Sequence, residues 1–155
     1  MARSREGQPT ARFYQLGATP LERALARIAT KAFEKGLKSC VVAGDGHRAM
    51  HLDDLLWREP VDGFLPHGIH GRDEAERQPV LLSSTPQDMN GATVAILAAP
   101  IPLPDPQRFD LIIDFVDGDN PNALAMSRER YRHYRDRGCD MEYWIQTPDG
   151  AWKKK

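Results

Sequence analysis

"TPLERALARIATKAFEKGLKSCVVAG", residues 19–44, is the stretch on which the fold turns. Leu21, Ala24, Leu25, Ile28 and Ala32 recur at three- and four-residue spacing, which marks one apolar face of a helix. Thr19 is placed to cap that helix, Pro20 to fill its first position and Gly36 to stop it. "SCVVAG" (39–44) follows as a short continuous apolar run without alternation. That is the pattern of a strand covered on both faces, and such a strand needs packed layers above and below it.

Reading outward, "RFYQL" (12–16) is a first strand and a second helix runs from Gly46 to Trp57, ending before Pro60. "PVLLSS" (79–84), "TVAILAA" (93–99) and "FDLIIDFV" (109–116) are three further strands. "GRDEAERQ" (71–78) and the proline-punctuated "PIPLPDPQ" (100–107) are loops between them. Asn120 caps a long helix with Pro121 at its first position and Gly138 at its end, and "EYWIQ" (142–146) with "AWK" forms a last strand or extended tail. The expected architecture is α/β: a single three-layer α/β/α domain over residues 11–155, with a central sheet that is largely parallel or mixed. Residues 1–10 are polar and read as a loose N-terminal segment.

The formal net charge is −1 over 155 residues, which argues against generic coating of nucleic acid, so any electropositive site must be local. Cys40 and Cys139 lack metal or redox spacing and read as ordinary reduced thiols. No apolar run approaches a membrane span, and "MARSREGQPT" lacks the apolar centre of a signal peptide. A cytoplasmic protein with no membrane partner is expected.

"GDGHRA" (44–49) has the glycine spacing of a dinucleotide-binding turn between a strand and a helix. It follows the second strand rather than the first, and Asp45 puts a negative charge where phosphates would lie. His47 and His51 share a helical face, His67 and His70 lie close together, and Asp53 or Asp54 stand ready as a base. "HRAMH", however, lacks the glutamate of the zinc-protease helix. The expectation is no catalytic residue, no metal and no cofactor.

Two stretches carry more. In "LDDLLWREPVDGFLPHGIHG" (52–71), Trp57 ends a helix and Phe64 opens a loop bracketed by Pro60 and Pro66. These rings either plug the core or anchor a partner. In "SRERYRHYRDRG" (127–138), helical spacing places Leu124, Arg128, Tyr131, Arg132 and Arg135 in one stripe, with Arg130, Tyr134 and Arg137 beside it. Only Glu129 and Asp136 offer acids within the run, so a solvated face balanced by its own ion pairs is a poor fit. Tyrosine among arginines suits an anionic ligand with an aromatic or apolar part, or single-stranded DNA bound directly.

Together "LDDLLWREPVDGFLPHGIHG", "IIDFVDG" (112–118) and "RERYRHYRDRG" (128–138) resemble, in order and spacing, the chi subunit of bacterial DNA polymerase III holoenzyme. The resemblance implies a noncatalytic α/β subunit associated with the clamp loader, touching DNA only indirectly. It implies that the acidic, phenylalanine-ended C-terminal tail of single-stranded DNA-binding protein docks on Arg128, Tyr131 and Arg132, with Arg135 nearby and Val116 in the pocket wall. In one member of the family a lysine stands one turn before the arginine, whereas here the place is Leu124, which shifts weight to Arg132 or Arg135. For the psi subunit, or an equivalent clamp-loader component, it implies a second surface at Trp57, Phe64, Leu65 and Pro66.

Overall fold

In the computed structural model, which describes residues 7–58, 65–72 and 74–155, eight strands and three helices follow one another. They are β1 (Thr10–Leu16), α1 (Leu21–Glu34), β2 (Ser39–Val42), α2 (Gly46–Arg58), β3 (His67–Ile69) and β4 (Val80–Ser83). After these come β5 (Val94–Leu97), β6 (Leu111–Asp117), α3 (Pro121–Asp136), β7 (Asp140–Gln146) and β8 (Trp152–Lys154). All eight strands form one sheet in the order β3-β4-β2-β5-β6-β1-β7-β8. Every pairing is parallel except the last, where β7 and β8 make an antiparallel hairpin. The largely parallel sheet with a mixed edge is therefore observed.

Alternation along the buried strands sends successive side chains to opposite faces. On one face Val41, Leu82, Ile96 and Ile113 pack with Leu25 and Ala29 of α1 and Leu52 and Leu56 of α2. On the other, Cys40, Val42, Ala95, Leu97 and Ile112 pack with Tyr134 of α3, with Leu103 from the proline loop and with Phe109 just after it. Each such aliphatic side chain contributes about 1.5–3 kcal/mol by leaving water, which is why the central strands read as unbroken apolar runs. Two helices cover one face, and one helix with a docked loop covers the other.

The structure moves several local boundaries. The cap of α1 is Pro20, which makes no side-chain capping bond. Thr19 instead exchanges hydrogen bonds with Gln146 at the end of β7: its N–H donates to Oε1 at 3.0 Å and its hydroxyl accepts from Nε2 at 2.7 Å. The first strand begins at Thr10, whose N–H donates to the Asp110 carbonyl, so the ordered chain reaches into the segment read as loose. β3 is a strand that the sequence pattern does not announce, because three residues including a glycine give no periodicity to detect. The proline loop is held down rather than merely stiff: the Leu103 N–H donates to the Tyr134 hydroxyl at 2.8 Å, and the Leu103 carbonyl lies 2.8 Å from Nε2 of His133.

Candidate functional site

Asn120 starts α3 as expected, its side-chain oxygen accepting from the N–H groups of Asn122 and Ala123, with Pro121 in the first turn. The helix then presents two stripes of different fate. Ser127, Arg130 and Tyr134 turn inward and are buried. Arg130 donates from Nε and Nη2 to the two oxygens of Asp114 on β6, at 2.8 and 2.9 Å, and both side chains are almost fully buried. Burial raises the Asp114 carboxyl, and the Arg130 hydrogen bonds pull the other way. Arg130 itself is held above its ordinary value, because its bonds to Asp114 outweigh the loss of hydration. This arginine fastens the helix to the sheet and is not open to a ligand.

The other stripe faces out. Leu124, Arg128, Tyr131, Arg132 and Arg135 line an open groove of about 780 Å³ between α3 and the β7–β8 hairpin. All five had been singled out by helical spacing. Val116 had been expected in the pocket wall; it is 1% exposed, absent from the lining, and packs behind Leu124, Tyr131 and Tyr143 in the core. It supports the wall from within.

The sheet side of the groove was not foreseen. Met141, Tyr143 and Ile145 come from alternate positions of β7, and Gln15, Glu142, Lys154 and Lys155 complete that side. Tyr143 stacks on buried Phe13 with centroids 6.0 Å apart and planes 9° apart, and it donates a hydrogen bond to Oε1 of Gln15 at 2.8 Å. Tyr131 lies 5.5 Å from Phe13 and 6.5 Å from Tyr143, so the floor is a rigid aromatic cluster. Burial raises the Tyr143 phenol, opposed by its Ser127 hydrogen bond and the charge of Arg128.

Charge around this floor is lopsided. Arg128 and Arg132 are exposed and, among the described residues, have no carboxylate partner. Arg135 reaches only its neighbour Asp136, at 3.6 Å between exposed side chains. Among the described residues the one acid in the lining, Glu142, is taken by Nε of Arg12 at 2.8 Å. The groove therefore offers free cations around an apolar, aromatic floor. It suits a short anionic ligand that also carries an apolar group.

The other singled-out residues separate. Trp57, at the outer end of α2, is 55% exposed, with its ring 4.7 Å from that of buried His67. Pro66 is half-buried, Leu65 is 3% exposed within the core, and Phe64 and Pro60 lie outside the described residues. Leu65 therefore cannot present a side chain to a partner. In the glycine turn, Oδ1 of Asp45 accepts from the Arg48 N–H at 2.7 Å and occupies the helix start that a phosphate would need. No group of three histidine, cysteine or acidic side chains comes together among the described residues, and no helix there is long and apolar enough to cross a membrane.

Comparison with known proteins identifies the family of the chain. A family model described as DNA polymerase III chi subunit, HolC, matches residues 9–142. The chain is 24% identical over 126 residues to the DNA polymerase III subunit chi of Escherichia coli K12, covering 81% of this chain and 85% of that one. It is 25% identical over 136 residues to the corresponding subunit of Haemophilus influenzae, covering 85% and 94%. To the probable subunit chi of Rickettsia prowazekii it is 22% identical over 142 residues, covering 85% and 83%.

Proposed function

The chain belongs to the DNA polymerase III chi subunit family, and we propose that it works as a noncatalytic adaptor between the clamp loader and protein-coated single-stranded DNA. The acidic C-terminal tail of single-stranded DNA-binding protein lies in the α3 groove. Arg128 and Arg132 take its carboxylates, and its terminal phenylalanine packs on the Tyr131–Tyr143 floor beside Leu124. A psi subunit, or an equivalent clamp-loader component, docks at the far side on Trp57 and Pro66, together with Phe64.

One observation supports this reading above the rest: Arg128 and Arg132, without a carboxylate partner among the described residues, stand beside an aromatic, apolar floor in one groove. Each half of that chemistry matches one half of the tail. Direct binding of DNA fits less well, because the chain's net charge is −1 and Arg128, Arg132 and Arg135 are gathered in one groove. The test is a titration of a fluorescent peptide copying the acidic tail, with and without its final phenylalanine. Binding that depends on that residue supports the proposal, and indifference to it contradicts it.

A further inference from the structure

The family match ends at residue 142, inside β7, so the hairpin strand β8 lies beyond it. That strand closes the groove on the side opposite α3. Its register runs from Gln146 opposite Trp152 to Trp144 opposite Lys154, and the Lys155 N–H continues the ladder to the Tyr143 carbonyl at 2.8 Å. Directly opposed residues in an antiparallel pair share a face. Lys154 accordingly goes with Trp144, its ammonium 5.7 Å from that ring, and Lys155 goes with Tyr143, its ammonium 5.3 Å from the ring that floors the groove. Lys155 is exposed and has no carboxylate partner among the described residues.

We propose that Lys155 is a second docking cation for the acidic tail, taking a side-chain carboxylate from the β8 wall while Arg128 takes another from α3. This rests on the reading of the groove as the tail site. A cation held over an aromatic face keeps its charge at the groove wall without being neutralised, so an arriving carboxylate completes the pair. Two facing walls of cations also restrict the peptide to the groove axis, which a single basic helix does not do. Lys154 borders the same groove, with its ammonium drawn to Trp144 rather than to Tyr143.

The experiment is fluorescence anisotropy of the labelled, phenylalanine-ended acidic peptide with the full chain at low and moderate salt. Lys155→Ala is expected to weaken binding about 3- to 10-fold at low salt, with less effect as salt rises. Lys155→Glu should weaken it further, while Lys155→Arg stays within about twofold of the parent. Undiminished affinity in Lys155→Ala and Lys155→Glu, with Arg128→Ala impaired, overturns the role of Lys155 and leaves the tail site standing. A parent chain that does not bind the peptide, or an Arg128→Ala variant that binds it normally, brings down the tail reading and this inference with it. If Lys155→Ala instead loses affinity only for a single-stranded oligonucleotide, the wall serves nucleic acid and the proposal is wrong.

Discussion

Arg128 and Arg130 stand two residues apart on α3 and meet opposite surroundings. Arg130 is sealed against Asp114, so Arg130→Ala strands a buried carboxylate and should cost about 3–5 kcal/mol. For a domain of this length that is a fall in Tm of roughly 6–20 °C, measurable by differential scanning fluorimetry. Replacing both partners, as in Arg130→Met with Asp114→Leu, should restore much of the loss, because no charge then stays buried alone. Arg128→Ala should leave Tm within about 2 °C and weaken tail-peptide binding by about 1.5–3 kcal/mol, the scale of a lost charge-assisted hydrogen bond. Helical spacing separated these two stripes in the sequence, since positions three and four apart share a face. It did not say which stripe was buried, because Asp114, the partner that decides this, lies 16 residues earlier on a strand of the sheet. Lys155 was illegible for a different reason: a lysine in a run of lysines looks solvated until the hairpin register turns it over Tyr143.

β1 and β7 are joined by backbone pairing and by Arg12 and Glu142, which sit opposite each other in register. Partial burial acts to raise the Glu142 carboxyl, but its bonds from Arg12 and Trp144 prevail and hold it below the ordinary carboxylate range. A group lowered in the folded state stabilises above its unfolded value, near about 4.3, and loses that contribution as pH falls through the folded value. Glu142→Gln should therefore cost about 0.2–1 kcal/mol at neutral pH, with the difference from the parent closing below about pH 4 in urea titrations. On α2, Trp57 is more than half exposed, so Trp57→Ala should lower Tm by no more than about 4 °C. Capture of a psi-like partner should weaken by about 2 kcal/mol or more, while tail-peptide binding is unchanged. A collapsed melt with loss of both activities would assign the ring to the core. The elements that sequence reading found are those with long periodic or unbroken apolar patterns. β3 escaped it because its pairing with β4 is set by tertiary contact alone.

The two proposed surfaces lie at opposite edges of one sheet, Trp57 by β3 and the groove by β8, and on opposite faces of it. Eight strands at their usual spacing put the edges roughly 30 Å apart, far enough for two partners to bind together. The whole chain should then be retained on single-stranded DNA only through single-stranded DNA-binding protein with an intact tail, and weakly or not at all on bare DNA at physiological salt. A gel shift by this chain alone at about micromolar concentration would contradict that expectation. The layered fold was legible from the order of elements, because each buried strand announces the layers it needs. The separation of the surfaces was not, because it depends on a strand order that departs from chain order. The most direct measurement is NMR mapping of the unlabelled tail peptide on the isotope-labelled chain. Chemical-shift changes concentrated on Arg128, Tyr131, Arg132, Tyr143 and Lys155 are the predicted result. Changes concentrated around Trp57 and Pro66, or none at saturating peptide, would contradict the assignment of the groove.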